Sequence, residues 1–234
     1  MTRDTNSTPD NTIVSTTGST FDSPDAHTTR VLLHCCCAPC TLVPLASLLE
    51  EGWQVSLYFY NPNIHPEEEY VKRLGILQEY AKERGMPLSV GVYDPEAWER
   101  NVGVHGGPYP LITGASDYTT MKTARTARCK ACYHLRFEAL ATHGRATGEH
   151  ALDTTLTISP YQATREAREV LTQHAAAQGL RALATDWRSF YAEATQRSRA
   201  LGMYRQNYCG CHYSQQEAEI ERQARKTAKQ AGRA

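Results

Sequence analysis

The cysteines of this chain occur in three short groups, separated by long stretches without cysteine. We call them the first, middle and last cysteine groups: Cys35, Cys36, Cys37 and Cys40; Cys129 and Cys132; Cys209 and Cys211. Such short spacings suit one metal centre wrapped from several sides better than scattered disulfides. Seven or eight thiolates also exceed the four ligands that a single zinc ion accepts. The pattern therefore indicates iron–sulfur chemistry, with a further metal beside the cluster.

Two other interpretations of the cysteines stay open at this level. Two zinc ions could use all the thiolates and staple a nucleic-acid-binding protein that has no catalytic activity. Such staples, however, are typical of small folds that lack a core of their own. A single CxxC pair is equally compatible with a thiol–disulfide oxidoreductase. The three groups together favour the iron–sulfur interpretation.

The composition indicates a globular chain of 234 residues, with 41% hydrophobic and 21% charged side chains. The formal net charge is zero, but residues 122–136 carry five basic side chains and no acidic one. A local basic patch of this kind can hold a phosphate backbone. The chain has no apolar run long enough to span a bilayer. The first thirty residues have no continuous apolar stretch, so we expect no secretory signal there. We expect a cytoplasmic protein, whose reducing surroundings favour metal ligation over disulfides.

The alternation of strand and helix patterns predicts an α/β fold. Residues 1–29 are rich in Ser, Thr, Asp, Asn and Pro and predict a disordered tail, 30–214 a single metalloenzyme domain, and 215–234 a C-terminal helix and tail. The predicted strands are residues 31–34, 54–60, 88–93, 150–156 and 181–186. Helices are predicted between and after them, over residues 67–84, 130–146, 163–177, 192–201 and 214–230, with a long loop over 102–120. We expect an open, mostly parallel sheet flanked by helices, Rossmann-like or HUP-like, with a helical C-terminal part.

Ligands of such sheets gather at the carboxyl ends of the strands. The first cysteine group follows the first predicted strand, and Asn61, Asn63 and His65 follow the second. All three cysteine groups are expected where a helix begins, because free amide groups and the helix dipole stabilise thiolates there.

Five segments carry a more specific signature. Residues 33–40 read LHCCCAPC, and residues 60–66 read YNPNIHP, followed by Glu69, Tyr70 and Arg73. The later segments are 128–136, RCKACYHLR; 154–161, TTLTISPY; and 204–214, YRQNYCGCHYS. In this order the segments resemble the QueH family of epoxyqueuosine reductases, over about residues 31–214. Residues 186–191 depart from the family pattern, which puts substrate contacts there in doubt.

The resemblance implies an enzyme that reduces the epoxide of epoxyqueuosine in tRNA to give queuosine, the last step of queuosine biosynthesis. It implies a 4Fe–4S cluster with a second metal nearby, expected to be iron, and no cobalamin. Carried over by position, the cluster ligands are Cys37, Cys129, Cys132 and Cys209. The ligands of the adjacent iron are Cys36, Cys40 and Cys211. The implied partners are a tRNA whose anticodon loop bears epoxyqueuosine and an external electron donor, without a membrane.

Cys35 is left out of the metal ligands, because its position is usually apolar in the family, and it is expected to point into the core. The residues expected to contact substrate are Asn61, Asn63, His65, Tyr133, Ser159, Tyr161, Arg188 and Tyr208. Aromatic faces among them could stack on a splayed anticodon base, although core packing or turn formation is the alternative for each. Candidates for phosphate contacts are Arg125, Arg128, Lys130, Arg136, Arg188 and Arg205.

No catalytic residue is assigned from the sequence. Asp153 and Asp186 end predicted strands and could donate a proton, or could instead cap the helices that follow. His34 could support a metal ligand, or could be a core histidine with satisfied hydrogen bonds.

Overall fold

The computed structural model describes residues 29–105 and 115–231. The tail predicted over residues 1–29 therefore lies outside the described residues except for Thr29, and part of the predicted 102–120 loop lies outside them as well. The division of the chain into domain and tails stays a prediction. Among the described residues, no helix combines the length and the apolar character needed to cross a membrane.

The centre of the fold is a sheet of five strands that all run parallel. The strands are β1 (Arg30–His34), β2 (Gln54–Phe59), β3 (Leu88–Val90), β4 (Ala151–Thr154) and β5 (Arg181–Ala182). Their order across the sheet is β3-β2-β1-β4-β5, with β1 in the middle. The predicted α/β class with a parallel sheet is confirmed.

Helices cover both faces of this sheet. They are α1 (Ala38–Glu50), α2 (Glu67–Glu83), α3 (Pro95–Val102), α4 (Ala115–Ala146), α5 (Thr164–Ala177), α6 (Tyr191–Ala200) and α7 (His212–Ala231). Short 3-10 turns occur at Gly103–His105, Thr155–Ile158 and Trp187–Phe190. On one face, Val31 and Leu33 of β1 pack in a core with residues of α1 and α2. On the other, Leu32 packs with Leu152 and residues of α4 and α5. Burial on both faces explains why the central strands are apolar at successive positions.

Helix α4 differs most from its sequence prediction. It begins at Ala115, whereas the sequence predicted a helix over residues 130–146 preceded by a loop. Residues 115–129 are rich in Ala, Thr and Arg and lack a regular apolar stripe, so their periodicity gave no helix signal. The outer strands β3 and β5 are shorter than predicted, since each pairs with a neighbour on one side only. The other helix boundaries lie within two residues of their predicted positions.

Gly144 allows α4 to lie close to the sheet. A Cβ added there would come within 2.9 Å of Leu152 Cδ2, with Leu180 and Leu32 next nearest. Gly75, in α2, is a helical glycine for comparison, because a Cβ added there meets no atom within 4 Å.

We predict opposite effects of alanine at these two helical glycines. Gly75→Ala should raise the free energy of unfolding by about 0.5–1 kcal/mol, because alanine loses less backbone entropy on folding. Gly144→Ala should lower it by about 1 kcal/mol, because overpacking against Leu152 outweighs the same helix gain. Urea unfolding followed by circular dichroism measures both. An equal gain in the two variants would mean that α4 does not press on β4 as described.

Candidate metal centre and adjoining cavity

The first cysteine group occupies the turn between β1 and α1. Cys37 is the N-cap residue of α1, and its Sγ accepts a hydrogen bond from the Cys40 amide at 3.4 Å. The metal-ligating atoms of Cys36, Cys37 and Cys40 all lie within 4.8 Å of one another. For this group the predicted place at a helix N-terminus is confirmed, and its sulfurs face free amide groups of the first helical turn.

Cys35 points the other way. It is fully buried among the residues of α1 and α2, and its Sγ donates to the carbonyl of Leu33 at 3.3 Å. Burial raises the pKa of this thiol to about 12. The expectation that Cys35 faces the core is confirmed.

The middle cysteine group lies inside a helix, which corrects the prediction of a helix start. Cys129 and Cys132 are one turn apart within α4 and therefore share a face of it. Cys132 Sγ accepts a hydrogen bond from Trp98 Nε1 at 3.3 Å and a longer contact from Arg136 Nη1 at 3.9 Å. Side-chain donors thus take the place of the free backbone amides expected at a helix terminus.

The last cysteine group is tied to the segment that follows β2. Gly210 has a φ of +150°, and a Cβ there would lie 2.8 Å from Asn63 Nδ2, so the tight approach needs glycine. The carbonyl of Gly210 accepts from the His65 amide at 2.9 Å, and that of Cys209 accepts from Arg73 Nη1 at 2.8 Å. The backbone around Cys209 and Cys211 is therefore positioned by residues more than a hundred positions earlier.

The three groups come together beside the carboxyl end of the sheet. Gln206 donates from Nε2 to Cys37 Sγ at 2.9 Å, which links the last segment to the first group. Cys36, Cys40 and Cys209 line a common cavity of about 350 Å³. Cys132 and Cys211 pack in the same cluster of buried residues, which brings the middle group next to the last. Sulfurs distant in the sequence thus face one region.

Three buried arginines surround these sulfurs. Arg73 pairs with Glu69 at 2.7 Å, and Arg128 pairs with Glu217. Arg136 is 1% exposed and donates to Asn61 Oδ1, and its Nη2 lies 3.3 Å from His34 Nε2. Among the side chains that the structure describes, no carboxylate lies at ion-pair distance from Arg136.

The burial of Arg128 and Arg136 corrects their predicted role as tRNA phosphate contacts. Their charge is directed at the cysteines instead: it lowers the pKa of Cys129 and of Cys132, respectively, against the larger effect of burial. Lys130 is exposed and Arg205 lines the cavity, so their phosphate contacts stay predictions. The side chain of Arg125 lies outside the described residues.

The protonation of the thiols follows from these surroundings. Burial raises the pKa of Cys37, Cys129, Cys132 and Cys211 above the usual thiol value. Hydrogen bonds from Cys37 and Cys40 lower the pKa of Cys36 well below it. A metal ion would displace the remaining protons, and the resulting thiolates would balance the buried guanidinium of Arg136. The donor set is sulfur throughout, which suits an iron–sulfur cluster or zinc and not a hard cation. The residues therefore fit the implied centre.

His34 behaves as a core histidine beside this centre. Its Nδ1 is 3.0 Å from Thr154 Oγ1 and its Nε2 is 3.3 Å from the Tyr60 carbonyl. Burial, with the charge of Arg136, lowers its pKa to about 3, so the ring is neutral.

The cavity beside the cysteines is open and partly aromatic. Three of the residues expected to contact substrate line it: Ser159, Tyr161 and Tyr208. Tyr161 is 61% exposed and meets Tyr191 edge to face, with ring centroids 6.3 Å apart. Sequence reasoning missed the lining residues Gln162, Tyr191, Thr195, Gln206 and Asn207. Gln206 and Asn207 lie within the segment 204–214, close to Cys209. That position could have indicated that they line the site.

Other predicted substrate contacts are buried and have structural partners. Asn61 donates to the Cys35 carbonyl at 2.9 Å and accepts from Arg136. Tyr133, 1% exposed, donates to Gln162 Oε1 at 2.8 Å, and Asn63 is buried against Gly210. Because these three residues are buried, their direct contact with substrate stays a prediction. In this structure they support residues that line the cavity or that position the cysteine groups.

Two further predicted contacts lie away from the cavity wall. His65 is half-buried in an aromatic cluster with Trp98 and His212. Arg188 is exposed and pairs with Asp186 at 2.6 Å. Neither residue lines the cavity.

The two aspartates considered as proton donors have structural roles. Asp186 caps the 3-10 turn at Trp187–Phe190, and hydrogen bonds from Arg188 lower its pKa to about 2. Asp153 accepts from Trp187 Nε1 at 3.2 Å and from the Thr154 amide at 2.8 Å. Burial raises the pKa of Asp153 to about 6, but its carboxylate does not line the cavity.

Comparison with known proteins agrees with this geometry. The family model described as "Epoxyqueuosine reductase QueH" matches residues 31–217. A relative of that name from Dehalococcoides mccartyi is 31% identical over 188 residues, which cover 80% of this chain and 93% of the relative. A relative of the same name from Haemophilus influenzae is 31% identical, over 83% of this chain and 74% of the relative. One from Thermotoga maritima is 29% identical, over 82% of this chain and 96% of the relative. This chain therefore belongs to the QueH family of epoxyqueuosine reductases.

Proposed function

We propose that this chain removes the epoxide oxygen of epoxyqueuosine in tRNA and so produces queuosine, the last step of queuosine biosynthesis. The proposed ligands of a 4Fe–4S cluster are Cys37, Cys129, Cys132 and Cys209. The proposed ligands of an adjacent iron are Cys36, Cys40 and Cys211. Family membership supports the reaction, and the assembly of three cysteine groups beside one cavity supports the centre.

The observation that carries the proposal is the buried guanidinium of Arg136. A buried charge without an opposite charge is strongly unfavourable. No carboxylate pairs with Arg136 among the described residues. The neighbouring thiolates, once bound to metal, would supply the opposite charge. Cys132 is in contact with Arg136. The pKa of Cys36 is lowered mainly by hydrogen bonds from Cys37 and Cys40, and the charge of Arg136 adds to that effect. The arrangement is what an anionic sulfur centre requires.

The opening of the site favours a catalytic centre over a zinc staple. Structural zinc sites are closed by four protein ligands. Here Cys36, Cys40 and Cys209 line a cavity that also holds the predicted substrate residues. Its volume, about 350 Å³, lies within the range of small-molecule sites. A ligand in this cavity would touch the thiolates directly.

Removing the epoxide oxygen consumes two electrons and two protons, releases water and leaves a carbon–carbon double bond. Bound to these thiolates, an iron–sulfur cluster supplies electrons and an adjacent iron supplies Lewis acidity toward oxygen. The chain's own residues bind and orient the base. Ser159 offers a hydroxyl group at the cavity wall, where Tyr208 also lies with its hydroxyl donated to the His65 carbonyl. Gln162 and Gln206 direct their amide N–H groups at the sulfurs.

The cavity fits a base that has been taken out of its stack. Sequence-specific RNA recognition typically splays such a base and stacks it on an aromatic side chain. Tyr161, paired with Tyr191, presents an exposed ring at the cavity. Arg205 and Arg222 also line it and would meet the phosphates on either side. These features support a tRNA anticodon loop as partner, and a cytoplasmic location follows from that substrate. The electron donor is an external protein or small reductant.

The reaction is tested by the tRNA of cells that lack this gene. Mass analysis of the digested tRNA should show epoxyqueuosine in place of queuosine, because the last step is blocked. The wild-type gene should restore queuosine, whereas Cys36→Ala and Cys211→Ala should not. Normal queuosine in the deletion strain, when no second reductase is present, would overturn the proposal.

The cysteine assignment predicts three classes of variant in anaerobically purified protein. Cys129→Ala should lose iron and acid-labile sulfide, because a cluster ligand is removed. Cys36→Ala and Cys211→Ala should keep the visible absorption of a cluster but lose turnover. Cys35→Ala is the matched control and should keep both, since its sulfur faces the core.

The same measurement separates the competing functions. A colourless protein that contains zinc would support a nucleic-acid-binding staple. A protein without metal that cycles between dithiol and disulfide would support a thiol–disulfide oxidoreductase. Either result would contradict the iron–sulfur assignment.

Arg136→Met is predicted to weaken metal binding by about tenfold or more, because it removes the charge that balances the thiolates. Arg136→Lys should retain part of the affinity, since it keeps a cation. The control is Arg168→Met, as Arg168 donates to the Ala184 carbonyl away from the sulfurs. Competition for iron with a chelator measures the affinity. Wild-type affinity in Arg136→Met would remove the electrostatic argument.

A further inference from the structure

Each cysteine group receives a hydrogen bond from one uncharged side-chain N–H group. Gln206 Nε2 donates to Cys37 Sγ at 2.9 Å in the first group, and Trp98 Nε1 donates to Cys132 Sγ at 3.3 Å in the middle group. Gln162 Nε2 donates to Cys209 Sγ at 3.2 Å in the last group. The three donors come from different parts of the chain, yet all three acceptors are proposed ligands of the cluster.

The surroundings fix the orientation of two of these donors, Gln162 and Trp98. Tyr133 donates its hydroxyl to Gln162 Oε1 at 2.8 Å, which leaves the amide nitrogen of Gln162 directed at Cys209. The Tyr133 hydroxyl in turn accepts from the Ala163 amide at 3.3 Å. Trp98 is almost completely buried and packs with Cys132 and Cys211. The N–H groups of Gln162 and Trp98 are therefore held in place by buried neighbours.

Hydrogen bonds of this kind have a defined electrostatic effect on a redox centre. One-electron reduction adds negative charge to the metal and its sulfurs, with no bond made or broken at the ligands. An N–H dipole directed at sulfur stabilises the more negative state and raises the reduction potential. The effect is strengthened in a buried, weakly polarisable environment. Uncharged donors produce it without adding another buried charge.

We propose that Trp98, Gln162 and Gln206 are positioning residues that raise the reduction potential of the centre bound by the three cysteine groups. The inference rests on the proposed function, because it requires a redox-active centre at these sulfurs. It gives the three side chains a role in electron acceptance that is separate from substrate binding. Their joint effect sets which external donors are strong enough to reduce the enzyme.

The test is the midpoint potential of the anaerobically reconstituted holoenzyme, measured by stepwise reduction with dithionite in the presence of mediators. Visible absorbance and electron paramagnetic resonance report the reduced fraction, so that turnover is not needed. Trp98→Phe, Gln162→Leu and Gln206→Leu should each shift the potential to a more negative value. The triple variant should show a larger shift than any single one, because the donors act on different sulfurs.

Trp187→Phe is the matched control. It makes the same chemical change at a buried tryptophan, but Trp187 Nε1 donates to Asp153 Oδ2 at 3.2 Å and not to sulfur. Its midpoint potential should equal that of the wild type. A purely structural effect of removing a buried indole would instead shift Trp98→Phe and Trp187→Phe alike.

Unchanged potentials in the two glutamine variants would overturn the inference. They decide the matter even where Trp98→Phe fails to fold, because Gln162 and Gln206 are half-buried at the cavity wall. A wild-type protein that binds no redox-active metal would overturn the proposed function itself, and the inference with it. A wild-type cluster whose potential ignores these variants would overturn the inference alone.

Discussion

The buried guanidinium of Arg136 is the constraint on which the rest of the site depends. It lies in α4 between the sheet and the middle cysteine group, and no carboxylate neutralises it among the described residues. Neutral partners, Asn61 and the uncharged ring of His34, hold it in place without removing its charge. Its positive charge is thus available to sulfur, and the proposed cysteine-bound metal centre would balance it.

The sheet and the segments after its strands bring the cysteine groups to that charge. The first group follows β1 directly, whereas α4 delivers the middle group from the face on which Leu32 and Leu152 pack. The last group is held by backbone contacts to the segment after β2, where Gly210 lies against Asn63. Polar side chains that would ordinarily be exposed are buried here because they hold this loop and Arg136 in place.

Residues that support the site are distinct from residues that line the cavity. Tyr133 and Asn61 are behind the surface and fix the orientation of other groups, while Tyr161, Tyr208 and Ser159 line the cavity. A preorganised site of this kind keeps its reacting groups in place before substrate arrives, so that binding energy is not spent on reordering them. The cysteine groups share this property, because two of them are anchored by secondary structure and the third by a glycine-dependent contact.

The sequence by itself determined the parallel α/β fold, most element boundaries, the family and the orientation of Cys35, because apolar runs, helical spacing and motif order are local properties. It did not reveal that α4 begins at Ala115, since residues 115–129 lack an apolar stripe. Nor did it reveal that Arg128, Arg136 and Tyr133 are buried, because a charged or aromatic residue in a motif can lie either on the surface or in the interior. Only the tertiary structure decided which segments cover these side chains, and burial determines whether an arginine meets phosphate or sulfur.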